Sequence, residues 1–153
     1  MGIFGTFWHL WNYGIVWQEP ALLVFFWIFT GLGITVGYHR LFSHRSFKAH
    51  TILEWFLAIS GAAALENSAL KWCSDHRRHH KQLDTDKDPY SITKGFFHAH
   101  IGWILEDKPT DIEGVKDLER NPIVMFQNKY YWPIGIGLSF VLPLIIGSLY
   151  GRP

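Results

Sequence analysis

Residues 20–44 read PALLVFFWIFTGLGITVGYHRLFSH, and their order sets the fold. From Pro20 to Tyr38 no residue carries a charge. As a helix that stretch extends roughly 28 Å, close to the bilayer core of about 30 Å. Two histidines follow at once, His39 and His44, at what is then a membrane surface. Gly33 and Gly37 add a small-xxx-small spacing, which lets a second helix approach closely in lipid.

The same segregation holds along the whole chain. Of 153 residues, 48% are hydrophobic, 17% aromatic and only 18% charged. Between His39 and Tyr130 lie 13 of the 14 Lys and Arg and 12 of the 13 Asp and Glu. Glu19 is the single formal charge before residue 39, and Arg152 the single one after residue 130. A soluble globule spreads its charges; this pattern reads membrane, water, membrane. The composition excludes a disordered chain, and one cysteine excludes a disulfide scaffold. A net charge of +1 gives no electrostatic footprint for nucleic acid.

Three further segments complete the expected organisation. Residues 1–18 are uncharged and rich in Trp and Phe, without a basic leader or a small-residue cleavage site. They are assigned as a membrane helix that turns at Gln18-Glu19-Pro20, the alternative being an aromatic helix lying at the interface. Residues 52–65 are apolar except for Glu54 and too short to span, so an interfacial helix is expected. Residues 131–150 are uncharged, with Tyr131, Trp132 and Tyr150 at the two ends as an aromatic belt requires. The fold class is therefore all-α, with membrane helices at about 1–18, 20–38 and 131–150. Residues 39–51 and 66–130 form a cytoplasmic helical cap, placed there by the positive-inside rule from Arg40, Arg45, Lys48, Lys71, Arg77, Arg78 and Lys81. Turn signals stand at Asp88-Pro89, Lys108-Pro109 and Asn121-Pro122.

Nine histidines occur, and five make two compact sets: His39 with His44, and His76, His79 and His80 in His-Arg-Arg-His-His. At about 100° per residue, His79 and His80 fall at about 300° and 40° from His76, so the three share one arc with Trp72. Imidazoles on one face can converge on a metal ion. His39 and His44, five residues apart, do not align on a regular helix and converge only if it unwinds or bends. The second set by itself also reads as a solvated basic face. Imidazole ligation without paired cysteines suits Fe, Cu, Ni or Zn. Arg77 excludes the HExxH zinc-protease motif, and the Glu-plus-ExxH di-iron pattern is missing from the sequence. Five histidines exceed the need of one open catalytic zinc, so a dinuclear site is the economical reading. Asp75, Asp86 and Asp88 are candidate acceptors for the second imidazole nitrogens. Lys71, Arg77, Arg78 and Lys81 read either as a surface for an acidic carrier or donor protein or as positive-inside residues. Cys73 reads as packing, His9 and His50 as interfacial.

From Gly33-Ile-Thr-Val-Gly-Tyr-His39-Arg-Leu-Phe-Ser-His44 through Trp72-Cys-Ser-Asp-His76-Arg-Arg-His79-His80 to Asp88-Pro-Tyr and Gly95-Phe-Phe-His-Ala-His100-Ile-Gly-Trp103, the chain resembles the membrane fatty acyl desaturases of the stearoyl (delta-9) type. The resemblance implies an oxidoreductase of fatty acid biosynthesis, with two Fe ions and O₂ as co-substrate, that introduces a cis double bond into a saturated acyl chain. It implies His39, His44, His76, His79 and His80 as iron ligands, and Trp72 with Glu66 and Asn67 at the acyl tunnel. Asp75, Asp88 and His100 are expected in supporting positions around the ligands or in packing. The implied partners are an acyl substrate on CoA, a carrier protein or a lipid, the membrane, and an electron donor of ferredoxin or cytochrome b5 type. The family's third histidine box, of HxxHH type, is not found after His100, so the chain is expected to be the front part of an incomplete desaturase fold. A related di-iron lipid or alkane hydroxylase and a non-enzymatic, metal-binding membrane fragment are the alternatives.

Overall fold

The computed structural model describes residues 2–105 and 111–152, and every regular element among them is helical. The order is α1 (Gly2–Tyr13), α2 (Gln18–Ser43), α3 (Thr51–Ala62), α4 (Ala69–Lys81), a short helical stretch around His98–Gly102, α5 (Pro122–Lys129) and α6 (Tyr131–Leu149). Both clear spans of the sequence are present. Among the described residues, α2 and α6 are the two helices long and apolar enough to cross a membrane. Only 17% and 11% of their most apolar windows are buried, whereas the core helix of a soluble protein is mostly buried.

Local chemistry explains the ends of the helices. Pro20 sits in the first turn of α2, where its missing N–H costs no helical hydrogen bond. His50 caps α3 by accepting from the N–H of Ile52 through Nδ1. Ser68 caps α4 and Asn121 caps α5, each through a side-chain oxygen. The Asn121-Pro122 signal thus marks a helix start inside the polar connection, and Lys108-Pro109 lies outside the described residues.

The N-terminal segment departs from the expected membrane helix at 1–18. α1 ends at Tyr13, and Gly14 turns the chain with φ 67, four residues before the expected turn. The 12 residues of α1 extend about 18 Å, well short of a bilayer core. The short reach expected of residues 52–65 holds, since α3 also has 12 residues.

α2 changes its winding along its length. Gln18–Leu32 is α-helical, and Gly33–Ser43 continues as a π-helix. Most π-helix occurs as single-turn bulges; this one runs for 11 residues. It is also where α2 becomes buried. The α-helical half buries no residue, while the π half buries Tyr38, Leu41 and Phe42. These pack with Leu57 and Ala58 of α3, Leu70, Trp72 and Cys73 of α4, and Ile123 and Val124 of α5. The packed core therefore lies at one end of the molecule, and the outer lengths of the spans show Leu23, Trp27, Phe140 and Leu149 to the surroundings.

Gly33 and Gly37 make the α2–α3 contact possible. A methyl group on Gly33 would collide with the backbone of Gly61, and one on Gly37 would lie 2.9 Å from Leu57 Cβ. Gly31, two residues earlier, faces open space. Gly33→Ala is expected to destabilise the chain by about 1–3 kcal/mol through forced separation of the helices. Gly31→Ala is expected to be neutral or slightly stabilising. Thermal unfolding in detergent compares them, and equal melting temperatures for both variants would refute the close contact.

Candidate metal centre

The π winding of α2 does what a regular helix cannot. In a helix whose N–H bonds reach back five residues, positions i and i+5 fall on one side. His44 N–H donates to the His39 carbonyl at 3.0 Å, and the two imidazoles meet with their Nε2 atoms 3.1 Å apart. α4 supplies the opposite pair. His76 and His80, four residues apart, bring their Nε2 atoms to 3.1 Å from each other, and His44 Nε2 lies 3.1 Å from His76 Nε2. Ligand atoms of His39, His44, His76 and His80 all fall within 4.8 Å of one another.

Those spacings suit an ion. Nitrogens bound tetrahedrally at 2.0–2.1 Å stand about 3.3 Å apart. Two of the rings are pushed toward the neutral form that a ligand needs. Burial first, then repulsion from the other imidazoles, drives His76 down to about 3. Desolvation, then His39, His80 and Arg77, lowers His44. Trp72 roofs the group: its indole stacks on His76 at 4.7 Å and 20°, and meets His39 edge-on. Glu66 accepts from Trp72 Nε1 at 3.2 Å, and burial raises its carboxyl above the ordinary range.

His79, expected on the same arc, stands outside this group. Its Nδ1 lies 2.8 Å from the fully buried carboxylate of Asp88. Burial pushes the Asp88 carboxyl up, but His79 and the N–H groups of Asp84 and Tyr90 outweigh it and hold it low. An ionised carboxylate only accepts, so the His79 proton belongs on Nδ1 and Nε2 carries the lone pair. The loop after α4 thus turns one histidine away from its neighbours.

The other expected site residues are placed as follows. Asn67 is exposed on its side chain; its N–H donates to the Tyr131 hydroxyl and its carbonyl accepts from Tyr38. Asp75 is buried and pairs with Lys71 and Arg78. His100 is exposed, bonded to the Phe96 carbonyl and stacked on the Phe96 ring. A cleft of about 990 Å³ runs beside α4, with Lys71, Arg78, Lys81, Tyr90, Trp103 and Trp132 among its lining residues.

What Arg77 does was not legible in the sequence. Its five N–H bonds all go inward: Nε to the Ser43 carbonyl, Nη2 to the Phe42 carbonyl and Asp117, and Nη1 to the Gly114 carbonyl and Asp117. It therefore ties the carbonyls that end α2 to α4 and to the loop after residue 111. Ser74 binds the same loop through both backbone groups of Glu113. The only available signal was position, between two histidines, because its partners lie 34–40 residues away. Arg77→Lys cannot reproduce the fork and is expected to cost about 2 kcal/mol of stability. The Asp117 carboxyl is held low, first by its bond to Arg77. The contribution of that pair is complete above the ordinary aspartate range and lost as pH falls through the lower folded value. Thermal unfolding across pH reads both effects; an Arg77→Lys protein that melts like the wild type would exclude the tie.

No family model matches this chain. The chain is 48% identical over 132 residues to a probable acyl-CoA desaturase of Schizosaccharomyces pombe, an alignment covering 84% of this chain and 28% of that protein. It is 45% identical over 136 residues to a delta(9)-fatty-acid desaturase of Caenorhabditis elegans, covering 85% and 40%. It is 41% identical over 129 residues to the stearoyl-CoA desaturase of Homo sapiens, covering 80% and 36%. The chain thus spans less than half the length of these relatives.

Proposed function

The chain is a homologue of the acyl-CoA desaturases, matching them over 80–95% of its own length, and on that premise we propose that it carries half of a di-iron centre for acyl-chain desaturation. The convergence of four imidazoles carries the reading. The donor set fits an iron ion, since imidazole suits Fe and the spacing suits a single centre. His39, His44, His76 and His80 hold that ion. His79, with Nδ1 fixed by Asp88, offers Nε2 to a second ion whose other ligands come from beyond the described residues. Bound iron would supply the O₂ chemistry that an unactivated C–H bond requires.

The chain's own residues do the rest. Trp72 fixes the plane of His76 and closes one side of the group. Asp88 holds the His79 proton on Nδ1 and keeps Nε2 available as a ligand. The buried ring of Trp72 and the half-buried Glu66 offer a wall to the acyl chain. Lys71, Arg78 and Lys81 give the adjoining cleft a cationic edge that favours a CoA thioester, the carrier in the names of these relatives. α2 and α6 span the bilayer, with the histidine end and its arginines and lysines on the cytoplasmic side. The electron donor is a ferredoxin or cytochrome b5 type protein.

Metal analysis and product analysis test this together. The chain purified from iron-supplemented membranes is expected to hold about one ion per chain. His76→Ala is expected to lose it, and His79→Ala to keep it. Metal retained in His76→Ala would refute the four-histidine site. Incubation with stearoyl-CoA, O₂ and a reducing chain, together with a co-expressed longer relative whose histidines matching His39, His44, His76, His79 and His80 are replaced by alanine, is expected to give a monounsaturated acyl product that the altered relative alone does not give. A hydroxylated product would favour the hydroxylase reading, and bound metal without either product the non-enzymatic one.

A further inference from the structure

Glu19 is the lone charge of residues 1–38, and Arg152 the lone charge of residues 131–153. The fold brings them together. Arg152 Nη1 lies 3.7 Å from Glu19 Oε1, and His9 Nε2 lies 2.9 Å from the same oxygen. The second carboxylate oxygen accepts from the N–H of Val16 at 3.3 Å. Arg152 also donates to the Gly14 carbonyl at 3.4 Å, and its guanidinium lies 6.0 Å over the Tyr13 ring. Its own N–H closes the end of α6 on the Gly147 carbonyl at 2.8 Å.

The surroundings are inverted relative to a water-facing ion pair. The side chains of His9, Glu19 and Arg152 are 31%, 22% and 23% exposed, whereas Trp11 and Trp17 beside them are 91% and 74% exposed. Polar groups turn inward and rings outward. Glu19 starts the helix that ends at the histidines, so this cluster lies at the far end of α2 from the metal centre.

We propose that His9, Glu19 and Arg152 form a polar clasp that fastens the end of α6 to the turn between α1 and α2. α6 is then held at both ends: by the Tyr131 hydroxyl on Asn67 near the histidines, and by Arg152 on the turn. Without the clasp, α1 and the turn come away from α6 as a unit. The clasp rests on these contacts alone and stands whether or not the chain binds iron.

Thiol labelling of the full chain in native membranes tests this. Val16→Cys places a reporter in the turn and leaves the backbone N–H that Glu19 accepts. Cys73 is fully buried and its thiol is raised to about 12, chiefly by burial, so a second label reports general unfolding. Arg152→Gln and Glu19→Gln are each expected to speed the first label several-fold without a second. The double variant is expected to be no faster than either single one. His9→Gln, which removes one arm, is expected to fall between. Single variants that label like the parent would overturn the clasp, as would a double variant whose effects multiply. Two labels appearing together in every variant would also overturn it, because the pair would then support the whole fold and not one joint.

Discussion

A helix exposes carbonyls at its end that no helical N–H can satisfy. At the end of α2, Arg77 fills those of Phe42 and Ser43. The rest of the site depends on that one guanidinium. It sits between His76 and His79 in sequence, so wherever it binds, the second histidine set follows. By bonding the end of α2 it sets α4 against the π turn at a fixed height, and the two pairs of imidazoles meet. Asp117 neutralises the charge and adds the loop to the joint. A lysine or a surface arginine would leave the two histidine pairs free to slide.

Much of this was legible in the sequence, and the remainder was hidden for definable reasons. The two spans were visible because charge is segregated, and the structure keeps them at Gln18–Ser43 and Tyr131–Leu149. His76 and His80 were visible because α-helical periodicity places them on one face. His39 and His44 were visible as a set, but five residues do not close a turn of α-helix, so their meeting required the helix to unwind or bend; the change to π winding joins them. His79 was on the right arc, yet Asp88 from the following loop claims its Nδ1. Arg77 looked like a surface cation because each of its acceptors is remote in sequence. α1 looked longer because an uncharged run does not reveal where a left-handed glycine will interrupt it.

The electrostatics follow the same division. At the histidine end, burial pushes His44 and His76 toward the neutral form, while Arg77 pairs with Asp117, and Lys71 and Arg78 share Asp75. The group of four converging ligands is made of imidazoles. At the far end, the few polar groups that exist are gathered in one place. Between these ends the chain offers the surroundings almost nothing but hydrocarbon and aromatic rings.

The π segment has one more consequence, and it concerns inheritance. Its geometry is a matter of counting: the backbone of Gly33–Ser43 accommodates more residues per turn than α2 does before it. Its exposed side chains, Thr35 and Arg40, are interchangeable within the limits of size. The number of residues is not. Loss of a single codon between Gly33 and His44 would let the helix rewind and carry one imidazole away from the other three, while leaving composition, hydropathy and every histidine intact. Length in this stretch is therefore constrained alongside identity, and lineages that share the site should align through it without gaps.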